Sequence, residues 1–487
     1  MFKFNYKLIS KIFGILLAIE CVFMLLSSGV AIIYKGPDIK AFIISAVITA
    51  ISASGLIYLG RDSDGQMGKR EGFLVVSLVW VLFSFFGMLP FIISGSIPSI
   101  TDSFFETMSG FTTTGASILN NIEELPHGIL FWRSLIQWLG GMGIIVFTLA
   151  ILPTFSSAGI DLFSAEVPGL TLDKIRPRIE QTAKKLWGAY LLITVVCAGF
   201  LWAGPMELYD AVCHAFTTMA TGGYSTKQSS IAYWNSAYIE YVLSFFMLIA
   251  GTNFTLIYFL LSGNIKKIGK DEEFRWYICI VSVFTFLFGY FLYNYGITEN
   301  FENSFRAALF QVSTIVTTTG FAGITANYVA WGPLFCVLTL FIMTSGACAG
   351  STSGGIKIVR LIVLLKNTLN DLYLQIHPKA IVPTRVNKHV VSQTLINKAL
   401  AFVFIYAIIF MISIFLLTLI GLDLTTSIGS SITCLSNVGP GLGLTGPAGN
   451  FSFVPDSGKW LLSFLMLVGR LEIFTVIILF SPSFWKK

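Results

Sequence analysis

Long apolar runs almost free of charge decide what this sequence can become. They fall near residues 9–34, 41–60, 72–95, 133–155, 186–204, 238–263, 275–298, 330–346, 399–422 and 459–482. Most reach the roughly 18 residues that a helix rising about 1.5 Å per residue needs to cross a bilayer. Hydrophobic residues make up 55% of the chain and charged residues 11%, against roughly 25% charged in a soluble domain. A water-soluble core of this size cannot hide that much apolar surface, whereas lipid can. The expectation is therefore an all-α polytopic membrane protein of about ten spans.

Charge sorts itself between the spans. Basic residues crowd alternate connections: Lys3, Lys7 and Lys11; Arg61, Lys69 and Arg70; Lys174 to Lys185; Lys266 to Arg275; Lys357 to Lys398; Lys486 and Lys487. The positive-inside bias makes these connections cytoplasmic and puts both termini inside. The other connections carry an acidic excess, which raises the local concentration of cations. The three leading lysines and the apolar run after them resemble a signal peptide. No small-residue cleavage site follows, and a second span comes at once, so a retained helix is the better reading.

Enzymatic chemistry finds little support. The seven cysteines sit in or beside apolar segments without a C-x-x-C spacing, the four histidines are scattered, and no H-E-x-x-H occurs. Neither a disulfide frame nor a metal site is expected. Gly441 to Gly446 spells G-x-G-x-x-G but follows no strand. Gly350 to Gly355 has the glycine spacing of a phosphate-binding loop, with Ile356 where the lysine must stand. No nucleophile–base pair appears, no bound cofactor is expected, and no nucleic-acid partner is implied.

The informative segments lie between spans on the acidic side. Four stretches are too long for a turn and end in glycine with small or hydroxylated neighbours. They begin at Asp102, Asp210, near Glu302 and at Asp423, and they reach Gly115, Gly222, Gly320 and Gly439. Two spans separate successive glycines. The unit is span, half-length helix, glycine loop, span, repeated four times after two extra N-terminal spans. This divides the chain into 1–70, 71–160, 161–266, 267–390 and 391–487, and implies pseudo-symmetric assembly about one axis. Non-helical backbone at membrane depth is tolerated only where it lines a wet cavity, and carbonyls converging from four loops can replace the water around a cation. The acids suit the positive starts of the half-helices, whose partly negative ends then point toward the ion path. Thr113, Thr114, Thr221, Thr318 and Thr319 either add hydroxyls or pack behind the loops.

The loop sequences Ser109-Gly110-Phe111-Thr112-Thr113-Thr114-Gly115, Ala220-Thr221-Gly222-Gly223-Tyr224-Ser225-Thr226, Thr317-Thr318-Thr319-Gly320-Phe321 and Ser436-Asn437-Val438-Gly439-Pro440-Gly441 resemble the filter loops of the Trk/Ktr/HKT superfamily of potassium transporters. Ala349-Gly350-Ser351-Thr352-Ser353-Gly354-Gly355-Ile356-Lys357 and Gly469-Arg470-Leu471-Glu472-Ile473-Phe474-Thr475 match as well. The two leading spans favour the bacterial TrkH/TrkG branch. The resemblance implies filter glycines at 115, 222, 320 and 439, with the two residues before each (Thr113 and Thr114, Ala220 and Thr221, Thr318 and Thr319, Asn437 and Val438) supplying carbonyls. In that family glycine in the first loop accompanies potassium selectivity and serine accompanies sodium preference, so Gly115 leans toward potassium.

Span eight departs from the others. Small and hydroxylated residues from Gly346 through Gly350, Ser351, Thr352, Ser353, Gly354 and Gly355 cannot hold a regular helix, and a break at membrane depth is expected there. The resemblance makes this an intramembrane gate touched by Arg470, whose alternative is a salt bridge to Glu472. Lys357 closes the stretch and is grouped with the gate, although an interfacial lysine is the simpler reading. The resemblance also implies potassium uptake across the cytoplasmic (inner) membrane, with rubidium and sodium as further candidate ions. A homodimer and a cytosolic nucleotide-binding, TrkA-like regulatory subunit are implied with it. The alternative is a secondary transporter that couples entry to protons or sodium. It needs ionisable groups at the midplane, where only Glu20, Arg470 and Glu472 qualify.

Overall fold

The computed structural model describes residues 4–63, 67–143, 179–325 and 327–486. Six of its helices are long and apolar enough to cross a membrane, or eight if each of two bent pairs is one span. The straight ones are Tyr6–Ile33, Ile39–Leu59, Arg70–Ile93, Lys184–Trp202, Glu272–Asn294 and Gln393–Ile420. The fourth apolar run starts as His127–Trp138 and a π-helical turn, Leu139–Gly143. The rest of that run, residues 174–178 of the basic connection from Lys174 to Lys185, the expected boundary at 160–161, Lys3 and Lys487 lie outside the described residues.

Lipid-facing surface is plain in the burial pattern. Only 22% of the most apolar window of Gln393–Ile420 is buried, and Phe404, Met411, Phe415 and Leu419 stand outward. An apolar stripe of that extent suits lipid rather than water. The two N-terminal spans form a tight hairpin, tied to the start of His127–Trp138 by Asp38, whose carboxylate accepts from the Ile129 N–H at 3.0 Å.

The chain departs from straight spans in a regular way. Three of the spans that follow a glycine loop stop after one short helix: Ala237–Ala250, Pro333–Ser345 and Asp456–Arg470. A break was expected only in span eight. Runs 238–263 and 459–482, read as continuous, are instead bent by 107° and 113°. The causes are local. After Gly251, Asn253 turns its side chain to accept from the Thr255 N–H at 2.8 Å and so starts a new helix. In span ten, Glu472 and Ile473 take φ of 56° and 54°, which no helix continues.

Four half-helices, Ile100–Phe111, Leu208–Met219, Phe301–Val316 and Leu424–Ser436, run into the middle of this frame. Ser99 caps the first through the Asp102 N–H (3.3 Å), and Asp423 caps the last through the Thr426 N–H (3.0 Å). Asp102, Asp210 and Glu302 lie in the first turns of the first three half-helices, where the helix dipole favours negative charge. The all-helical expectation has one small exception among the described residues. Arg385–Val386 pairs with His389–Val390 around Asn387 and Lys388, both at positive φ, as a two-residue hairpin turn requires.

Candidate ion pathway

The four loops close into a ring, and backbone handedness fixes their register. Left-handed residues come in pairs separated by one residue: Thr113 and Gly115, Thr221 and Gly223, Thr318 and Gly320, Asn437 and Gly439. A Cβ built on Gly115 would lie 2.1 Å from the Gly222 carbonyl oxygen, and one on Gly223 would lie 2.0 Å from that of Thr319. On Gly320 it would meet the Val438 oxygen at 2.1 Å, and on Gly439 the Thr114 oxygen at 2.8 Å, which completes the circle. Each loop thus presents its glycine to the carbonyl of the next, in a conformation that L side chains rarely adopt.

This register corrects loop two by one residue. The counterpart of Gly115 is Gly223, not Gly222, and Ala220 matches Thr112 rather than Thr113. The N–H of the middle residue repeats the same bond in every loop: Thr114 to Ser109 O, Gly222 to Thr217 O, Thr319 to Thr314 O and Val438 to Thr433 O, all between 2.8 and 3.0 Å. A cavity above the ring is lined by Gly115, Gly223, Gly320 and Gly439 together.

Three of the paired positions hold threonine at φ of 53° to 58°. A β-branched residue there is strained by about 1–3 kcal/mol and persists only where its surroundings impose it. Alternating left- and right-handed residues turns successive peptide carbonyls toward one side, the arrangement a cation site built from backbone needs. Asn437 takes the fourth position, which asparagine tolerates better than threonine, and its amide donates to Thr114 Oγ1 and to Met466 O, both at 2.9 Å.

Buried side chains hold the loops from behind. The hydroxyls of Thr112 and Thr114 lie 2.8 Å apart, as do those of Thr317 and Thr319. Arg133 reaches Glu106 at 2.8 Å, donates to Ser225 O and Ser117 Oγ at 3.2 Å each, and stacks on the Tyr224 ring. Glu106 also accepts from the Ile118 N–H at 3.0 Å, so one buried ion pair fixes the return limbs of loops one and two. Loop three uses the same device from other positions. Glu240 accepts from the Ile324 N–H at 2.8 Å and from Arg306 Nε at 2.9 Å. The outward acids at the half-helix starts are engaged: Asp102 with Lys459 at 2.6 Å, Asp210 with Thr226 at 2.7 Å, and Glu302 with Arg306 at 2.8 Å.

Below the ring lies the non-helical segment between Ser345 and Ile358. Its Gly354 N–H donates to Thr318 Oγ1 at 2.8 Å, and Thr352 Oγ1 donates to Met219 O at 3.1 Å. Cys348 N–H reaches Gly251 O at 3.1 Å, and the Phe254 N–H reaches Gly350 O at 3.0 Å. The segment is therefore laced to the ends of the second and third half-helices and to the break in span six. Arg470 holds it from the other side, donating to Thr352 O at 2.6 Å and to Gly140 O and Gly141 O at 2.8 Å. Glu472 pairs with Arg360, so the alternative partner for Arg470 is already engaged. Lys357 is buried, at φ of 75°, and donates to Ser353 O and, at 3.1 Å, to Ser353 Oγ. Its ammonium thus satisfies a carbonyl of the loop that carries it.

The sequence-derived residues thus gather in two layers, the ring and the segment beneath it, with Ala220 one step outside the ring. Four residues of the assembly had not been singled out. Gly223 was hidden by the adjacent Gly222. Gln137, Arg133 and Glu106 stand in apolar surroundings, where a buried polar side chain is itself the signal.

Comparison with known proteins adds the lineage. Residues 38–487 match the family model TrkH, described as a cation transport protein. The Trk system potassium uptake protein TrkH of Salmonella typhimurium is 39% identical, across 99% of this chain and 100% of the relative. The Trk system potassium uptake protein TrkG of Escherichia coli is 33% identical, across 99% of both. The crystal structure of the potassium transporter TrkH from Vibrio parahaemolyticus superposes with a TM-score of 0.90 at 36% identity, covering 99% of this chain and 100% of that one.

Proposed function

This chain belongs to the TrkH family of cation transport proteins, and from that premise we propose that it takes up potassium through the ring of four loops, one passage per chain. The carrying observation is the closed circle in which each loop's glycine packs against a carbonyl of the next loop. A desolvated potassium ion is stabilised there by carbonyls of Thr113 and Thr114, Thr221 and Gly222, Thr318 and Thr319, and Asn437 and Val438, with the glycines allowing the close approach. An inside-negative potential draws each cation inward by about 2.3 kcal/mol per 100 mV, so this chain needs no fuel of its own. Uptake is transport, with potassium as substrate and no chemical step.

The segment from Gly346 through Gly350 to Lys357, braced by Arg470, acts as the gate. Its hydrogen bonds to Thr318 Oγ1 and Met219 O, at the ends of the third and second half-helices, support this reading. The basic connections face the cytoplasm, which sets the chain in the inner membrane with both termini inside. A homodimer and a TrkA-like nucleotide-binding ring on the basic stretches 174–185 and 357–398 complete the assembly.

The test is flux into liposomes at a fixed membrane potential, comparing potassium, rubidium and sodium in the parent protein and Gly115→Ser. Potassium flux well above sodium, with discrimination reduced in the variant, is the expected result. Equal flux of both ions in the parent, or uptake that requires a proton or sodium gradient, contradicts it.

A further inference from the structure

We infer that Gln137, on the span that follows loop one, is a positioning residue for ion selection in loop two, where it replaces side chains that this loop lacks. The inference rests on the four-loop filter proposed above. Loops one and three are braced at the back by hydroxyl pairs, Thr112 with Thr114 and Thr317 with Thr319. In the corrected register the same two positions of loop two are Ala220 and Gly222, which have no hydroxyls. Loop four is braced by Asn437, through Thr114 and Met466 O. Loop two needs its brace from elsewhere.

Gln137 supplies it. The side chain is fully buried. Its Nε2 donates to the Gly222 carbonyl at 2.7 Å, and its Oε1 accepts from the Tyr224 N–H at 3.0 Å. One amide therefore spans the two peptide groups that flank left-handed Gly223. The chemistry fixes which way the amide faces, because only one orientation gives a donor to the carbonyl and an acceptor to the N–H. Gly222 is glycine for the same reason: a Cβ there would lie 2.4 Å from the Gln137 amide carbon. The carbonyl that Gln137 holds is also the one that Gly115 of loop one packs against. Gln137 thus sets the spacing between two loops at the ring, and small errors in that spacing change how well a ring of carbonyls fits one ion over another.

The experiment compares potassium and sodium flux in liposomes for the full chain and for Gln137→Leu, Gln137→Glu and the triple change Gln137→Ala with Ala220→Thr and Gly222→Thr. Gly115→Ser is the control for the filter itself. Leu removes both hydrogen bonds at similar volume, and Glu keeps only the acceptor for Tyr224. The expected result is a potassium-to-sodium ratio lowered at least five-fold in Leu and Glu while cation flux persists. The triple variant, which gives loop two the hydroxyl pair of loops one and three, should recover a substantial part of the ratio. If Leu fails to fold, as judged by size-exclusion profile, Glu carries the comparison. A ratio within two-fold of the parent in both single variants, with discrimination lost in Gly115→Ser, overturns the role of Gln137 and leaves the filter standing. So does a uniform loss of flux without a change of ratio. A ratio unchanged in Gly115→Ser as well overturns the filter reading and this inference with it.

Discussion

A methyl group at Gly223 has nowhere to go: it would stand 2.0 Å from the Thr319 carbonyl oxygen on backbone at φ of 72°. Left-handed backbone alone costs a side-chain-bearing residue about 1–2 kcal/mol, and the contact adds to that. At Gly222 the obstacle is a side-chain amide, which can yield, and φ is not positive. Gly223→Ala should therefore lower potassium flux by more than ten-fold, while Gly222→Ala keeps flux and loses discrimination. Equal effects in a liposome assay would contradict the register. Arg470 makes a second test at this scale. Arg470→Ala withdraws donors from Thr352, Gly140 and Gly141, so the gate segment loosens and flux should rise several-fold; a fall in flux of the folded variant would contradict its bracing role. The sequence pointed to Arg470 because a charge in an apolar span needs a partner. It could not separate Gly222 from Gly223, since the side chain that engages them, Gln137, lies 85 residues away.

Among the elements, the gate segment is fastened at both ends by one residue of span seven. Glu273 Oε1 accepts from the Ala349 N–H at 2.6 Å, at the segment's entry, and from the Val359 N–H at 3.2 Å, just past its exit. Each buried N–H left without a partner costs about 1–3 kcal/mol. Glu273→Ala should therefore destabilise the protein and raise basal flux, and Glu273→Gln, which retains an acceptor oxygen, should do much less. Melting in detergent and flux at zero added partner check both. The pair behind loops one and two offers a contrast. Arg133→Met leaves Glu106 buried without its cation, which costs about 3–5 kcal/mol, whereas adding Glu106→Gln to Arg133→Met should restore much of the melting temperature. If the double change melts no higher than the single one, the pair does not act as a unit. The half-helices were legible as elements because their acids, hydroxyls and glycines recur between spans. The bends in spans six and ten were not. Gly251-Thr252-Asn253 and Leu471-Glu472-Ile473 are short polar interruptions inside apolar runs, and hydropathy averages over them.

At the scale of the whole molecule, the spans after loops two, three and four break beneath the ring, and this shapes the passage. The break in span eight, visible in the sequence as a dense run of small residues, is one of three such breaks among the described residues. The two leading helices and the four-loop plan were readable from hydropathy and spacing, since lipid imposes both. The hairpin at 385–390 was not, because its pairing depends on two residues of positive φ and on Asn387, whose side chain accepts from the Glu272 N–H at 2.7 Å. The central claim is that four unequal loops act as one cation site. Crystals of the protein soaked with rubidium or thallium(I) and measured at the metal's absorption edge test it most directly. The account predicts anomalous peaks on the axis enclosed by residues 113–115, 221–223, 318–320 and 437–439. An empty axis in crystals whose strong peaks lie elsewhere would contradict it.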